Sequence, residues 1–262
     1  MPVRKRFGQH FLHDPGVIRR IIDTVAPVAG VPLVEIGPGR GALTWGLLER
    51  AGRLDVIEID RDLAQALGAD PRAGTGLKIH VENVLHTDFM RLRGTRAPLR
   101  VVGNLPYNIS TPLLFHLLTQ RGAISDMYFM LQKEVVDRMG AQPGTKDYGR
   151  LTVMLAAVAE VRALFDVGPG AFQPRPKVWS AIVHLRPAQD PRFPLGAEGA
   201  LRTVVTAAFS HRRKTLRNSL KGLLSAQDVE SCGIDPQRRP ETLSPAQFGL
   251  LAAHYSRLVG YT

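Results

Sequence analysis

Cysteine and long apolar runs are what this sequence of 262 residues most clearly lacks. Cys232 is the single cysteine, so an intramolecular disulfide is excluded, and no cysteine–histidine cluster has the spacing of a zinc site. No apolar run approaches the roughly 20 residues that a membrane-spanning helix needs. The basic residues 1–6 are not followed by the apolar segment of a secretory signal. We therefore expect a cytoplasmic protein without a structural metal and without membrane contact.

Acidic residues are also scarce, and one long stretch has none. The formal net charge is +11, and no acidic residue falls between Glu198 and Asp228. Unbalanced positive charge over that length favours a polyanionic partner, nucleic acid before membrane, over the alternative of an ordinary solvated helix face. The cations that we predict to bind RNA phosphates are Arg212, Arg213, Lys214, Arg217 and Lys221.

Strand-like apolar runs alternate with helical patterns over the first 185 residues. We predict strands at residues 31–36, 54–59, 77–81, 99–103, 127–131 and 179–185. Helices are predicted at 15–26, 42–50, 63–67, 112–118 and 133–139, while residues 151–165 mix helix and strand signals. Such alternation predicts a doubly wound α/β sheet, which binds ligands at the carboxyl ends of its strands.

A change of composition separates this part from the rest of the chain. Prolines and glycine interrupt all periodicity at residues 187–196, which we interpret as a linker. Residues 197–262 are helical in pattern throughout, and Ser244-Pro245 with Gln247 predicts a capping box at the final helix. The expected organisation is therefore a cofactor-binding catalytic domain at residues 1–186, followed by the linker and a small α-helical RNA-binding domain.

A glycine-rich turn follows the first predicted strand of the sheet, and an acidic residue ends the next. Residues 35–41 (EIGPGRG) place Glu35 before the turn, and Glu58 lies 23 residues further on. Glycines let the backbone approach a ligand closely, and an acid at that second position accepts hydrogen bonds from both ribose hydroxyls. NAD is the obvious alternative, but the spacing is Gly-x-Gly-x-Gly and Glu35 would repel a pyrophosphate. A carboxylate suits the ammonium and sulfonium of S-adenosylmethionine, which we predict to bind at Glu35, Gly37, Gly39 and Glu58.

A polar turn ends the fourth predicted strand of the sheet. Asn104-Leu105-Pro106-Tyr107 follows apolar residues and suits the methylation of an exocyclic amine such as that of adenine. The side-chain oxygen of Asn104 and the carbonyl of Leu105 would accept both amine N–H groups and favour a tetrahedral nitrogen. Pro106 fixes φ, and Tyr107 offers a face on which a flipped base stacks. A plain strand end with a turn is the alternative, and the tetrapeptide alone leaves both interpretations open.

A set of motifs extends along nearly the whole chain. They are residues 7–12 (FGQHFL), 34–39 (VEIGPG), 56–60 (VIEID), 103–112 (GNLPYNISTP), 130–135 (MLQKEV), 148–151 (YGRL), 172–178 (FQPRPKV) and 212–220 (RRKTLRNSL). In this order they resemble the bacterial small-subunit rRNA adenine N6,N6-dimethyltransferases, the KsgA family. The resemblance implies a Rossmann-like class I methyltransferase sheet with a small helical domain. It also implies transfer of two methyl groups to each of two adjacent adenosines near the 3′ end of small-subunit rRNA.

The resemblance also implies roles for individual residues. His10 and Leu12 would touch the cofactor, Gly37 would lie under its methionine part, and Glu58 would hold its ribose. Asn104 would bind at the cofactor as well as at the target amine.

Two aromatic residues complete the site that the resemblance implies. Tyr107 and Phe172 would sandwich the target adenine, beside the acceptors of Asn104 and Leu105. The expected partner is rRNA within an assembling small subunit, and a monomeric enzyme is expected.

The sequence departs from the family at two positions. His10 stands where the family usually has Asn, and it can still donate a hydrogen bond. Asn83 stands where the family usually has an Asp that accepts from the adenine amine of the cofactor; its side-chain oxygen can accept without charge.

Two other functions remain open at this point. One is a large-subunit rRNA adenine methyltransferase of the antibiotic-resistance (Erm) type, which has the same fold and chemistry. The other is a non-enzymatic assembly or transcription factor that keeps the fold and has lost methyl transfer. Cofactor binding separates the last from both enzymes.

Overall fold

Strands and helices alternate along the chain, and most strands of the main sheet lie where its apolar periodicity predicts them. The computed structural model describes residues 10–107, 109–197, 199–211 and 213–260. The strands are β1 (Phe11–Leu12), β2 (Leu33–Ile36), β3 (Leu54–Glu58), β4 (Leu77–Val81), β5 (Leu99–Asn104), β6 (Ile124–Gln132), β7 (Ala159–Val167), β8 (Phe172–Gln173) and β9 (Ser180–Pro187). The helices are α1 (Pro15–Val25), α2 (Thr44–Ala51), α3 (Arg61–Gly68), α4 (Phe89–Arg93), α5 (Ser110–Thr119), α6 (Lys133–Met139), α7 (Arg150–Val158), α8 (Ala200–Ala208), α9 (Leu216–Ser219), α10 (Ala226–Ser231) and α11 (Pro245–Leu258).

The main sheet has the strand order β4-β3-β2-β5-β6-β9-β7. β2 pairs in parallel with β3 and with β5, β3 pairs in parallel with β4, and β5 with β6. β9 is antiparallel to its neighbour β6. Parallel strands joined by helices confirm the predicted α/β class. β3 lies on one side of β2 and β5 lies on the other, so the order of the strands reverses at β2. Such a reversal leaves a crevice at the carboxyl ends of the parallel strands.

Helix α1 begins at the residues that predicted it. Asp14 Oδ1 accepts a hydrogen bond from Val17 N at 2.9 Å, and Pro15 lies in the first turn, where a missing N–H costs nothing. The helix ends at Val25, before Pro27. Its apolar face is buried at Ile21, Ile22 and Val25.

The segment with mixed signals contains two elements. α7 ends at Val158, and β7 begins at the next residue, Ala159. A short apolar run fits the helical period and the strand period equally well. Periodicity therefore cannot locate the residue at which the helix ends and the strand begins.

A small ribbon was not predicted from the sequence. β1 pairs with β8 antiparallel, with Leu12 opposite Phe172 and Phe11 opposite Gln173. His13 N also donates to Ala171 O at 2.9 Å. Strands of two residues carry no detectable period, but this pairing holds residues 10–13 beside the main sheet.

The chain forms two compact units, and their boundary differs from the predicted one. The first contains the described residues within Met1–Val136 and Arg162–Pro187, and the second contains those within Asp137–Val161 and Ala188–Thr262. Residues 137–161 therefore pack with the C-terminal part, because Tyr148 is buried there and its hydroxyl donates to Leu243 O at 2.7 Å. The predicted linker is also bonded within the second unit, since Ala188 N donates to Val158 O at 2.8 Å. That one unit binds the cofactor and the other RNA stays a prediction.

The second unit is built on helices around its own apolar core. Val204, Val205, Phe248 and Leu251 are fully buried in it. The predicted capping box is confirmed at α11, where Ser244 N donates to Gln247 Oε1 at 2.9 Å and Gln247 N donates to Ser244 Oγ at 3.3 Å. No helix in the described part of the chain is long and apolar enough to cross a membrane.

Candidate active site

The carboxyl ends of four neighbouring strands meet at one cavity of about 350 Å³ in the first unit. Of the predicted cofactor-binding residues, those lining it are His10, Leu12, Glu35, Gly37, Gly39, Glu58, Asn83 and Asn104. Three residues predicted to act at the target base, Leu105, Pro106 and Tyr107, line the same cavity. The fold thus brings together two motifs that lie more than sixty residues apart in the sequence.

The glycine-rich turn after β2 has the open backbone that a close ligand requires. Gly37 and Gly39 have φ values of 67° and 56°, which favour glycine. A Cβ at Gly39 would lie 3.2 Å from the ring of Phe11, so a larger residue would push against the ribbon segment. The turn is therefore closed on one side by Phe11 and open to the cavity on the other.

Glu58 is held at the end of β3 by backbone N–H groups. Gly39 N donates to Oε2 at 3.3 Å, and Asp60 N donates to Oε1 at 2.9 Å. Each carboxylate oxygen has a further lone pair, so the group can still accept from two hydroxyls. Burial raises the pKa of Glu58 above its ordinary value, and the N–H bonds oppose this rise.

Glu35 is the more deeply buried of the two carboxyl groups. It is 2% exposed, and Thr44 Oγ1 donates to its Oε2 at 2.6 Å. Burial raises the pKa of Glu35 to about 7; the Thr44 hydrogen bond opposes the rise, and the charge of Glu58 adds to it. A cation entering the cavity would favour the ionised form of this group.

Apolar residues that the sequence analysis missed form part of the cavity wall. Ile59 follows Glu58 directly and is 49% exposed, which is unusual for a large β-branched side chain. Val84 and Leu85 line the cavity from the segment after β4. The position of Ile59 directly after the acid that ends β3 could have indicated a contact with the cofactor. The apolar periodicity instead predicted Ile59 as the last residue of the strand. These side chains suit a flat aromatic ring such as adenine.

Asn83 lies at the cavity but its oxygen already has a partner. Asn83 caps a short 3-10 turn, and its Oδ1 accepts a hydrogen bond from Leu85 N at 3.1 Å. One lone pair remains on that oxygen. A hydrogen bond from the adenine amine of the cofactor stays a prediction, and Oδ1 would have to accept it together with the bond from Leu85 N.

The side chain of Asn104 is oriented by its own donor. Asn104 Nδ2 donates to the backbone oxygen of His10 at 3.2 Å, and Leu105 N donates to Met130 O at 3.2 Å. Within the described ranges, no hydrogen bond reaches Oδ1 of Asn104 or the carbonyl of Leu105. The two predicted acceptors for a target amine lie together at the end of β5, and no partner for either is present among the described residues.

Tyr107 is fixed at its hydroxyl and faces an imidazole. Its hydroxyl lies 3.0 Å from Ser180 Oγ, and Ser180 is fully buried. The His10 ring lies 5.8 Å from the Tyr107 ring at an interplanar angle of 31°, and His10 Nδ1 lies 2.7 Å from Pro174 O. Ser180 and Pro174 were missed as supports because both come from distant parts of the sequence.

Phe172 is not placed beside Tyr107. Its side chain is 2% exposed in the core of the first unit, and it does not line the cavity. Pairing opposite Leu12 in the ribbon directs it inward. The ring that lies near Tyr107 is that of His10. A stacking role for Phe172 stays a prediction, and it would require the Phe172 ring to become exposed.

The predicted RNA-binding cations lie in the second unit. Arg213, Lys214, Arg217 and Lys221 are exposed, while Arg212 lies outside the described residues. Their segment is anchored by buried apolar residues, since Leu216 and Leu220 are 0% exposed. Among the residues that the structure describes, no group of acidic, histidine and cysteine side chains is suited to hold a metal ion.

Comparison with known proteins identifies the family. A family model described as ribosomal RNA adenine dimethylase matches residues 2–256. The chain belongs to this family. Proteins named ribosomal RNA small subunit methyltransferase A are 53% identical in Hahella chejuensis, over 95% of this chain and 91% of that one, and 52% identical in Pseudomonas aeruginosa, over 98% and 96%.

Solved structures agree with this family. The crystal structure of a dimethyladenosine transferase from Plasmodium falciparum has a TM-score of 0.79 at 26% identity, over 92% of this chain and 96% of that one. The 23S rRNA methyltransferase ErmE has a TM-score of 0.69 at 27% identity, over 94% and 99%. The predicted class I methyltransferase fold is confirmed, and the chain is an rRNA adenine methyltransferase.

The buried carboxyl of Glu35 makes stability depend on pH. Burial keeps the pKa of Glu35 at about 7 in the folded protein, while in the unfolded chain the pKa of this carboxyl is near the ordinary value of 4.5. Stability therefore falls as pH rises between these values, by up to roughly 3 kcal/mol. The variant Glu35→Gln cannot lose this proton, so the pH-dependent loss of stability due to Glu35 is absent in it. In urea titrations, the free energy of unfolding of the variant minus that of wild type should therefore increase from pH 5 to pH 8.

Glu49→Gln is the matched control, because it makes the same chemical change at an exposed position of α2. A difference between Glu35→Gln and wild type that stays constant from pH 5 to pH 8 would contradict the raised pKa.

Proposed function

We propose that this protein transfers methyl groups from S-adenosylmethionine to N6 of two adjacent adenosines near the 3′ end of small-subunit rRNA. The product is N6,N6-dimethyladenosine, and the substrate is an assembling small subunit in the cytoplasm. The observation that carries the proposal is the pair of available acceptors on Asn104 and Leu105, placed in one cavity with Glu35 and Glu58. Relatives at 52% and 53% identity that bear a small-subunit name support the choice of subunit.

The cavity residues fit S-adenosylmethionine. That cofactor would supply a methyl group on a positively charged sulfur. Glu58 would accept hydrogen bonds from its ribose hydroxyls, and the apolar wall at Ile59 would contact its adenine. The open backbone at Gly37 leaves room for the methionine part, and Glu35 would become ionised beside its positive charges. His10, Leu12, Gly39 and Asn83 would complete the contacts.

The residues after β5 would position the target amine. Asn104 Oδ1 and the Leu105 carbonyl would accept its two N–H groups, which pulls the nitrogen lone pair out of conjugation with the ring. The hydrogen bond from Asn104 Nδ2 to His10 O keeps the oxygen of the amide, rather than its nitrogen, available for this task. The Tyr107 ring would stack on the flipped adenine, held in place through Ser180.

No general base is assigned, because the amine proton can leave to solvent once the nitrogen has become positively charged. The chain contributes position and hydrogen-bond acceptors, which account for catalysis of this kind without a covalent enzyme intermediate. The protein would act as a monomer, with Arg213, Lys214, Arg217 and Lys221, together with Arg212, binding rRNA phosphates.

The large-subunit alternative rests on the likeness to ErmE, which is 27% identical. The higher identity of the small-subunit relatives favours the first assignment. The non-enzymatic alternative is disfavoured because Glu58, Asn104 and Tyr107 line one cavity.

Methyl transfer from labelled S-adenosylmethionine to unmethylated subunits tests the proposal. We expect label in small subunits as N6,N6-dimethyladenosine at two adjacent positions near the rRNA 3′ end, and none in large subunits. Label in large subunits alone would establish the Erm-type activity. Absence of label in both, with RNA binding retained, would establish a binding factor.

Asn104→Ala removes an acceptor that matters most when the nitrogen is tetrahedral. Methyl transfer to small subunits should fall by at least about 100-fold, as for other transition-state acceptors. RNA affinity, measured by filter binding, should stay within about twofold, because Asn104 is uncharged and the cations proposed to bind phosphates are left unchanged. Equal losses of transfer and of RNA affinity would contradict the role of Asn104.

Lys221→Ala tests the phosphate contacts. The slope of log K against log salt for binding to small-subunit rRNA should become shallower by about 0.7 to 0.9 for each lost contact. Lys78→Ala removes the same charge from an exposed position on β4 and is the control, for which we expect the wild-type slope. Equal slopes for Lys221→Ala and wild type would remove Lys221 from the interface.

A further inference from the structure

The loop between β8 and β9 exposes a tryptophan one residue before Ser180, whose side chain contacts Tyr107 of the candidate active site. Trp179 is 55% exposed, and among the large hydrophobic side chains that are exposed in the described part of the chain it is the one aromatic residue. Val178 beside it is 42% exposed. An indole exposed to this extent offers a flat apolar face on which another ring can stack.

The ends of the loop that carries Trp179 contact two residues of the site. Ser180, the next residue, has its Oγ 3.0 Å from the Tyr107 hydroxyl. The carbonyl of Trp179 accepts a hydrogen bond from Lys133 N at 2.9 Å. At the other end of the loop, Pro174 O lies 2.7 Å from His10 Nδ1. Trp179 therefore lies one residue before Ser180, which holds the hydroxyl of Tyr107, the ring on which the target base would stack.

The indole lies against a backbone segment without being covered. A Cβ at Gly168 would lie 3.7 Å from the Cη2 and Cζ3 atoms of Trp179, so the benzene end of the indole rests near the backbone of Gly168. More than half of the side chain still remains exposed. A ring held in this way loses little entropy when a flat ligand stacks on it.

The charge around the loop suits a polyanion. No acidic residue occurs between Asp166 and Asp190, while Arg175 and Lys177 lie within the loop and are exposed. An exposed aromatic residue next to cations is the combination with which proteins bind single-stranded nucleic acid. A protein partner with an apolar contact surface would not require these charges.

We propose that Trp179 is a stacking platform for the RNA base next to the target base, with Arg175 and Lys177 binding the phosphates beside it. This inference rests on the proposed function, in which two adjacent adenosines are modified. While one adenine occupies the pocket at Tyr107, its neighbour stacks on Trp179. The second base is thereby kept near the pocket.

Steady-state methylation of unmethylated small subunits gives the first test. Trp179→Ala should raise KM for subunits by about 5- to 150-fold, the range expected for loss of one base–aromatic stack. Trp179→Phe keeps an aromatic face and should stay within about threefold of wild type, whereas Trp179→Leu keeps apolar bulk only and should resemble Trp179→Ala. Val178→Ala, at the adjacent exposed position, is the matched control and should have the wild-type KM.

Tryptophan fluorescence gives a second test that needs no methyl transfer. The chain has two tryptophans, so a Trp45→Phe background leaves Trp179 as the single reporter. Short oligoadenylates should quench its emission, and Arg175→Ala with Lys177→Ala should weaken the apparent affinity at least about fivefold. If the proposed function is wrong, the wild-type protein will not transfer methyl groups. Fluorescence quenching does not depend on methyl transfer, so it tests the platform separately.

The outcomes separate stacking from its alternatives. Quenching by oligoadenylate, together with rescue of KM by Phe but not by Leu, would support the platform. Rescue by Leu would mean that apolar packing is sufficient and would overturn it. A KM defect on whole subunits without quenching by RNA would assign Trp179 to a protein contact, which also overturns the proposal.

Discussion

The parallel pairing of β2 with β5 is the constraint on which the site depends. Ile36 and Gly103 are opposite each other in this pair, and a Cβ at Gly103 would lie 2.7 Å from Ile36 O. Only a glycine permits this approach without a shift of the backbone. The pairing sets the glycine-rich turn after β2 beside the Asn104 turn after β5. Because the chain connections diverge at this point, the crevice between the two turns is left open.

Charge is distributed unequally between the surface of this basic protein and its cavity. Exposed cations lie on both units, whereas the cavity of the first contains two buried carboxyl groups, Glu35 and Glu58. Burial of a carboxyl costs free energy, and the raised pKa of both groups expresses that cost. A positively charged cofactor would recover part of it. The same chain therefore can bind a cation in its cavity and a polyanion on its surface.

Three short segments hold the surroundings of Tyr107. The ribbon of β1 and β8 positions His10, whose carbonyl orients Asn104. Ser180 at the start of β9 positions the Tyr107 hydroxyl. Each of these contacts joins residues that are more than seventy positions apart in the chain. The surroundings of Tyr107, where we propose that the target base stacks, are thus assembled from the N-terminal segment, the end of β5 and the segment around β8 and β9.

Local sequence determined most elements of the sheet, the cap of α1 at Asp14 and the capping box of α11. It also determined the glycine-rich turn after β2, the position of Glu58 at the end of β3 and the turn at Asn104. These follow from periodicity and from the chemistry of neighbouring residues, which act over a few positions. Tertiary structure alone decided that residues 137–161 belong with the C-terminal unit, that Phe172 is buried, and that Ser180 supports Tyr107. Burial and long-range hydrogen bonds depend on which distant segments pack together, and no local pattern in the sequence encodes that choice.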